Sequence, residues 1–370
     1  MTKNKTTQGN VLRESAEIRF ADELARLTEA DKQNPKPQGW LRSPRAVRQF
    51  ILGDESLNIS AKFFGDDALV DRAIVTLLGK QGLMLVGEPG TAKSMLSELL
   101  AAAISGDSGL TIQGTAGTTE DHIKYSWNYA LLLAEGPTEK ALVSSPLYQG
   151  IMQEGKIVRF EEITRCPPEI QDVLVSLMSE KQMMIPEMKD NARISAKQGF
   201  NLIGTANLRD RGVHEMSSAL KRRFNFETVR PIQDPAFEIE LINKQLATEL
   251  ADLNGQVTIP SNVIELLVTT FQELRSGNTK DGGNIKTPDA VMSTAEAVNI
   301  AYACALEAHY LGDGTLNAGA VARQLIGVVL KDNPDDIKRM RYYIDNVARE
   351  RAKHSQDWKA FFDASRAFWQ

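Results

Sequence analysis

The segment GEPGTAKS, residues 87–94, constrains the fold of this chain more than any other part of the sequence. It follows the apolar run Leu83–Val86, which predicts a buried strand, and it precedes Ser94–Ser105, whose Leu, Ala and Glu content predicts a helix. A glycine-rich loop between a strand and a helix directs backbone N–H groups at phosphate, and the helix N-terminus adds positive potential. The segment therefore predicts a phosphate-binding loop, in which Lys93 reaches the β- and γ-phosphates and Ser94 binds Mg²⁺.

One position of this loop departs from the usual pattern. Ala92 stands where such loops carry a glycine before the lysine. Because the cradle uses backbone donors, we expect alanine to be compatible with binding if its φ stays negative. An incidental Gly/Pro turn before a helix stays open as an alternative on this segment alone. The residues predicted to contact the nucleotide are Gly87, Glu88, Pro89, Gly90, Thr91, Ala92, Lys93, Ser94 and Met95.

The rest of the sequence predicts an α/β domain followed by a helical one. Further strands are predicted at Leu110–Gln113, Ile157–Phe160, Asn201–Thr205 and Phe226–Val229, and helical segments separate them. Such alternation is typical of a parallel sheet covered on both faces. After Ile232 only helical patterns occur. We therefore predict an N-terminal helical arm at 1–55, an α/β core at 56–232 and helices at 233–370.

Polar side chains follow two of the predicted strands. Glu161 and Glu162 come directly after Ile157–Phe160, at the strand end where parallel sheets bind ligands. Glu161 is a candidate for holding Mg²⁺ through water, and Glu162 is a candidate for orienting or deprotonating the attacking water. Asn207, after the fourth strand, can position water or the γ-phosphate because an amide both donates and accepts. A solvated acidic pair and a turn-forming asparagine are the structural alternatives.

A short basic cluster precedes the fifth strand. Arg222 and Arg223 lie in SALKRRF, within a chain whose formal net charge is −5. An arginine at a subunit edge can stabilise the transferring phosphoryl group on a neighbouring protomer, as an arginine finger does. A solvated basic turn explains the same residues equally well on this signal alone.

Composition excludes several other classes of protein. The acidic balance gives no electrostatic case for binding nucleic acid or an anionic membrane. The two cysteines cannot build a disulfide framework, and the four histidines are scattered, which argues against a metal site made of protein side chains alone. The first 20 residues lack an apolar stretch resembling a signal peptide, and no apolar run is long enough to span a membrane. We expect a cytoplasmic protein.

Taken together, these motifs resemble the MoxR family of AAA+ ATPases, over roughly residues 60–300. The resemblance is carried by GEPGTAKS, FEEITRCPPEIQDVLVSLMSEKQ and FNLIGTANLRDRGVHEMSSALKRRF. It implies a P-loop NTPase core with a five-stranded parallel sheet, an all-helical lid domain, and ATP and Mg²⁺ as ligands. It also implies a Walker A loop at 87–94, Walker B carboxylates at 161–162, sensor one at Asn207 and an arginine finger at Arg223, with Arg222 as the second choice.

The resemblance extends to two insertions and stops at two positions. Trp127–Tyr148 resembles the helix-two insert of this clade, and Gln182–Lys197 resembles the hairpin that faces the central pore. Asp289 stands in Thr-Pro-Asp where the family often carries Ser-Pro-Arg as sensor two, and Thr164 replaces a usual asparagine. The resemblance also implies that Arg165 lies near the protomer interface. A branch near the YehL-like group is the one we favour.

Three functions fit these observations. The first is a ring-forming ATPase, expected to be a hexamer, that remodels or activates proteins together with a von Willebrand factor A-domain partner, as the resemblance implies. The second is a nucleic-acid motor, which the net charge disfavours although the pore hairpin carries several basic residues. The third is a scaffold that binds ATP and barely hydrolyses it, because Ala92, Glu161 and Asp289 depart from the family pattern. The basic residues of the hairpin are Lys181, Lys189, Arg193 and Lys197.

Overall fold

The computed structural model describes residues 13–188, 192–207, 213–251, 257–290, 292–329 and 333–368. Lys189, one of the basic hairpin residues, lies outside the described residues. The chain divides into two compact units: Met1–Gly87 with Ala92–Val229, and Glu88–Thr91 with Arg230–Gln370. In its described part the first unit combines helices with strands, and the second is helical.

The first unit contains, in chain order, α1 (Ala16–Arg19), α2 (Ala21–Ala30), α3 (Pro44–Leu52), α4 (Asp67–Leu78), β1 (Gly82–Gly87), α5 (Lys93–Ser105), β2 (Thr111–Gln113), α6 (Glu120–Ile123), β3 (Tyr125–Trp127), α7 (Tyr129–Glu135), β4 (Leu142–Ser144), α8 (Pro146–Ile151), β5 (Ile157–Glu161), α9 (Pro168–Glu180), β6 (Gln182–Ile185), β7 (Ala192–Ser195), β8 (Asn201–Asn207), α10 (Ser218–Lys221) and β9 (Phe224–Val229). Short 3₁₀ turns lie at Glu55–Leu57 and Ile163–Arg165.

A five-stranded parallel sheet forms the centre of this unit. Its strand order is β2-β5-β8-β1-β9. All five predicted strands are present, each within one or two residues of its predicted ends, so the predicted α/β class is confirmed. β1 pairs with β8 so that Gly87 lies opposite Asn207, which brings the start of the phosphate loop beside the candidate sensor. The sheet therefore brings Gly87, Glu161, Glu162 and Asn207 to one edge, where its parallel strands end.

The N-terminal helices belong to the hydrophobic core beneath the sheet. Leu27 on α2 and Phe50 on α3 are fully buried, in the same cluster as Leu100 on α5. Ser43 caps α3 and donates to the buried carboxylate of Asp31, which ties the two helices together. The segment predicted as an N-terminal arm, residues 1–55, therefore contributes, over its described residues, to the hydrophobic core that also contains α5.

Two antiparallel hairpins project from the central sheet. β3 pairs with β4 and encloses α7, which is the region that resembles the helix-two insert. β6 pairs with β7 between α9 and β8, where the pore hairpin was predicted. The Tyr125 hydroxyl donates to Glu187 at 2.7 Å and so links the first hairpin to the second.

The second unit is a helical domain with its own core. Its helices are α11 (Pro235–Glu249), α12 (Ser261–Ser276), α13 (Thr294–Leu311), α14 (Ala318–Val329), α15 (Pro334–Tyr343), a π-helical turn (Ile344–Ala348), α16 (Arg349–Arg351) and α17 (Gln356–Phe368). Tyr343 is fully buried and donates to Glu273 at 2.7 Å, and Arg351 donates to the same carboxylate. Asp289, at the position of the missing sensor-two arginine, accepts from Arg339 and Asn333 of this domain.

Candidate functional site

The phosphate loop connects the end of β1 to the start of α5. Its first residue, Gly87, ends the strand, and Lys93 is the first residue of the helix. The side chain of Lys93 is buried, and its ammonium nitrogen lies 3.3 Å from the carbonyl oxygen of Gly87. Thr91 donates to the carbonyl of Glu88 at 2.9 Å, which closes the loop upon itself. The lysine is thus held over the loop at the helix N-terminus, the position that favours a phosphate group.

The condition set for Ala92, a negative φ, is not met. Ala92 caps α5 with φ 65° and ψ 21°, in the left-handed region. The chain has to turn from strand to helix between Gly87 and Lys93, and a left-handed residue at the end of the loop completes that turn. A non-glycine residue in this conformation costs roughly 1–2 kcal/mol, which the rest of the folded unit has to offset.

Glu161 lies at the centre of a buried hydrogen-bond network, so it is not part of a solvated acidic pair. Its Oε2 accepts from the hydroxyls of Ser94 at 2.7 Å and Thr205 at 2.8 Å. Its Oε1 accepts from the hydroxyl of Ser97 at 2.6 Å and from Arg159 at 2.8 Å. Donors on α5, β5 and β8 therefore fix both oxygens of one carboxylate.

This network controls the charge of Glu161. Burial on its own raises the pKa of the carboxyl group, because the charged form loses its hydration. The hydrogen bonds from Ser97 and Ser94, the charge of Arg159 and the hydrogen bond from Thr205 outweigh burial and lower the pKa below its ordinary value. Glu161 is therefore ionised at neutral pH although it is almost fully enclosed.

Glu162 faces a different environment. Its backbone is left-handed, with φ 55° and ψ 42°, which turns its side chain away from the Glu161 network. The backbone N–H donates to the hydroxyl of Thr205 at 3.0 Å. The carboxylate accepts from the amide of Asn207 at 2.7 Å, and Arg165 lies 3.4 Å from its other oxygen. The structure thus brings together the predicted base and the predicted sensor.

Among the described residues, four buried side-chain polar atoms have no hydrogen-bond partner, and two of these atoms are Oδ1 of Asn207 and Oγ1 of Thr164. A buried polar atom without a partner costs free energy unless water or a ligand satisfies it. Because Asn207 already donates to Glu162, its free acceptor oxygen suits a water molecule placed between the two side chains.

The two candidate finger arginines lie apart from this carboxylate cluster. Arg223, between α10 and β9, donates to the hydroxyl of Ser179 at 3.0 Å and to the carbonyl of Ala219 at 2.8 Å. Arg222 beside it is exposed, and its carbonyl accepts from Gln81. Both contacts are with α9 and α10, and among the described residues Arg223 has no hydrogen bond with Glu161 or Glu162.

Sequence reasoning missed Arg159, Ser97 and Thr205. Arg159 interrupts an otherwise apolar buried strand two residues before Glu161, so both side chains lie on one face. Ser97 follows Ser94 by three residues, which places them on the same side of α5. A charged residue inside a run of buried apolar ones was the available signal.

The residues present fit a magnesium ion. Mg²⁺ prefers hard oxygen ligands and keeps several waters, and it uses few protein groups. The ionised Glu161 and the exposed hydroxyl of Ser94 supply such oxygens beside the phosphate loop. In the described residues, no group of three or more His, Cys, Asp and Glu side chains could hold a metal on its own.

Family comparisons agree with this geometry. Residues 82–224 match the AAA domain of the dynein-related subfamily, and residues 236–368 match the YehL-like AAA+ ATPase C-terminal domain. The first match contains the phosphate loop, Glu161 and Glu162, and the two arginines at 222 and 223. In the described part of the chain, no helix has the length and hydropathy needed to cross a membrane.

Similar proteins locate the chain within a family. A RuvB variant of Thermotoga maritima is a solved structure with TM-score 0.45 and 15% identity, covering 78% of both chains, which is too distant to carry an argument. Chaperone MoxR1 of Mycobacterium tuberculosis is 27% identical across 50% of this chain and 45% of its own. The YehL protein of Escherichia coli (strain K12) is 51% identical across 95% of this chain and 96% of its own. The chain therefore belongs to the MoxR family of AAA+ ATPases, in its YehL branch.

Proposed function

We propose that the protein hydrolyses Mg-ATP at the edge of the sheet between the phosphate loop and Asn207. The observation that supports this most strongly is the pairing of Glu162 with Asn207 at 2.7 Å beside an ionised Glu161 that contacts Ser94. Lys93 and the backbone of residues 87–94 bind the phosphates, Ser94 and Glu161 hold Mg²⁺, and Glu162 and Asn207 act on the attacking water.

The metal has one role in this proposal. When bound, Mg²⁺ neutralises the developing charge on the phosphoryl oxygens. The protein's part is to hold Glu161 ionised and oriented before ATP arrives, so that little reorganisation is needed during the reaction. The Ser94 hydroxyl, which already contacts Oε2 of Glu161, is the second protein ligand that we assign.

Glu162 and Asn207 bind and orient the attacking water. Glu162 accepts a proton from it, and the free oxygen of Asn207 accepts the second hydrogen and so orients the attacking lone pair. Phosphoryl transfer depends on such positioning because the transition state asks little covalent chemistry of the protein.

Replacing Lys93 tests the location of the site. Lys93→Ala should abolish detectable nucleotide binding, because it removes the ammonium group that lies at the phosphate loop. Lys80→Ala, which changes an exposed lysine before β1, serves as the matched control and should bind as the wild type does. Binding is measured with a fluorescent ATP analogue, and wild-type affinity in Lys93→Ala would place the nucleotide elsewhere.

We further propose that ATP hydrolysis requires a ring, with a hexamer as its expected form. The support is that the described contacts of Arg223 are with Ser179 on α9 and Ala219 on α10 of its own chain, and not with Glu161 or Glu162. Arg223→Ala should then lower turnover strongly and ATP affinity little. Adding Lys93→Ala subunits, which keep Arg223, should restore turnover to the Arg223→Ala sites. Full activity of a monomer would contradict this assignment.

The work done by the ring is proposed to be remodelling or activation of partner proteins. This rests on membership of the MoxR family and on the similarity to chaperone MoxR1. A von Willebrand factor A-domain protein is the partner that we expect. Glu162→Gln protein loaded with ATP should retain such a partner in a pull-down, and ADP-loaded protein should release it. Equal recovery in both states would argue against an ATP-driven cycle on that partner.

A further inference from the structure

Two glutamates tie the N-terminal helix α1 to the rest of the first unit. Ala16, the first residue of the helix, donates its backbone N–H to Glu98 on α5 at 3.1 Å, and Arg13 pairs with the same carboxylate. Glu17, the second residue, accepts from the Ser108 hydroxyl at 2.7 Å and from the Ser108 backbone N–H at 3.3 Å. The helix lies before the residues that either family model matches.

Ser108 connects this helix to the buried guanidinium group of Arg159. It lies in residues 106–110, between α5 and β2, and it is 3% exposed. Its carbonyl oxygen accepts from Nη1 of Arg159 at 3.1 Å and from the Thr111 hydroxyl at 3.2 Å. Glu17 therefore holds the N–H and the hydroxyl of the same residue whose carbonyl oxygen holds Arg159.

Arg159 continues the connection to the proposed ATPase site. Its Nη2 donates to Glu161 at 2.8 Å and to the Ser94 carbonyl at 3.0 Å, and its Nε donates to the Ser97 hydroxyl at 2.9 Å. The guanidinium group is planar, so its donors point in fixed directions. A displacement of Ser108 would therefore move Arg159 relative to Glu161 or break a buried hydrogen bond, which is costly.

The second glutamate that holds α1 has no such connection. Glu98 contacts Arg13 and Ala16, and within the part of the chain that the structure describes no hydrogen bond joins it to Arg159 or Glu161. The two attachments of one helix thus differ in what lies beyond them. Loosening α1 at Glu98 leaves the contacts of Ser108 in place, whereas loosening it at Glu17 does not.

We propose that Glu17 is a positioning residue for ATP hydrolysis, which fixes Ser108 and thereby holds Arg159 and the Glu161 carboxylate in place. The N-terminal helix is then part of the structure that supports the site. A small misplacement caused far from the chemistry is enough to slow a reaction strongly. Because Lys93 and the loop backbone bind the phosphates, the effect falls on turnover and not on nucleotide affinity. This role of Glu17 rests on the proposed function.

Glu17→Ala and Glu98→Ala, which shorten the two glutamates to the same residue, provide the test. Steady-state hydrolysis and titration with a fluorescent ATP analogue are measured for both. Glu17→Ala should lower kcat about fivefold, less than the 10²-fold that a misplacement of about 1 Å can cost, and leave KM and the analogue's Kd unchanged. Glu98→Ala should keep the wild-type kcat. A merely structural role of α1 would make the two variants alike, so equal kcat values overturn the inference.

Further variants check the path through Ser108. Glu17→Gln keeps an oxygen that can accept from the Ser108 hydroxyl, and it should restore most of the wild-type kcat. Ser108→Ala removes that hydroxyl but keeps the carbonyl oxygen that Arg159 uses, and it should lower kcat in the same direction. The double variant of Glu17→Ala and Ser108→Ala should lose no more than the larger single loss, because both changes break one contact. Losses that multiply would overturn the path.

Glu162→Gln separates a failure of the proposed site from a failure of the role of Glu17. If the wild type hydrolyses ATP and Glu162→Gln does not, the proposed site stands, and a wild-type kcat in Glu17→Ala then overturns the role of Glu17 alone. If the wild type does not hydrolyse ATP, or Glu162→Gln hydrolyses it at the full rate, the proposed site is wrong and the role of Glu17 is removed with it.

Discussion

Glu161 and Glu162, the two carboxylates at the end of β5, differ in burial and in the contacts that hold them. On one side, the Glu161 side chain is 7% exposed, and donors from α5, β5 and β8 fix both of its oxygens. On the other side, Glu162 is 23% exposed, and its carboxylate contacts Asn207 and Arg165. Adjacent residues of the same type therefore have different freedom to move.

This difference matches two different tasks. A metal ligand acts best when it is ionised and fixed before the ligand arrives. A general base has to reach water and change its protonation state during each turnover. The left-handed backbone of Glu162 produces the separation, because it turns consecutive side chains toward different surroundings. The comparison teaches that one buried strand end can supply both a rigid and an accessible carboxylate.

The largest expected effect is the loss of catalytic rate when Glu162 is replaced. Glu162→Gln should lower kcat by about 10³-fold, since general acid–base catalysis contributes roughly 10²–10⁴-fold. Nucleotide affinity should stay at the wild-type value because the amide keeps the shape of the carboxylate. Steady-state hydrolysis and nucleotide titration measure the two quantities. Glu169→Gln, an exposed substitution on α9, is the control, and hydrolysis at the wild-type rate in Glu162→Gln would remove the assigned base.

Replacing Glu161 should have a large effect on the stability of the fold. Glu161→Gln leaves Arg159 buried without its counter-charge and should lower the free energy of unfolding by about 3 kcal/mol. Glu162→Gln, on the exposed side, should change it by less than about 1 kcal/mol. Urea unfolding of both variants measures the contrast. Equal losses of stability would contradict the difference between the two sides.

A third effect should come from Gly114, which follows β2. Its N–H donates to the carbonyl of Glu161 at 2.7 Å, and a Cβ there would lie 2.3 Å from the carbonyl oxygen of Glu162. Gly114→Ala should therefore displace the backbone of the carboxylate pair and lower kcat by about tenfold. Gly117→Ala, where the nearest atom is 3.9 Å away, should leave kcat unchanged. Identical rates in the two variants would show that this close approach does not position the carboxylates.

The smallest expected effect is a change in the free energy of unfolding when Ala92 of the phosphate loop is replaced. Ala92→Gly should relieve the left-handed conformation and raise the free energy of unfolding by up to about 1 kcal/mol, after the greater flexibility of the unfolded chain is counted. Ala102→Gly, in the middle of α5, should instead destabilise by about 1 kcal/mol or more. Thermal unfolding compares the two variants, and loss of stability in Ala92→Gly would show that the φ of Ala92 carries no strain.

The sequence predicted the sheet well because its strands are short apolar runs bounded by glycine or polar residues. It also predicted Glu161, Glu162 and Asn207 at the ends of strands, where parallel sheets bind ligands. The conformation of Ala92 escaped prediction because the turn between β1 and α5 sets it, and alanine gives no sign of a positive φ. The role of Arg159 escaped because its partner Ser97 lies 62 residues away in sequence. The packing of α2 and α3 was missed because their apolar stripes are short and lie in a polar region.

The measurement that tests the division between the two carboxylates most directly is a Mg²⁺ titration of ATP-analogue binding by Glu161→Gln and Glu162→Gln side by side. Glu162→Gln is expected to follow the wild-type curve. Glu161→Gln is expected to need at least about tenfold more Mg²⁺ for the same occupancy, which is the loss seen when a metal site is perturbed. Curves that shift together, or a shift in Glu162→Gln alone, would contradict the assignment of the metal to Glu161.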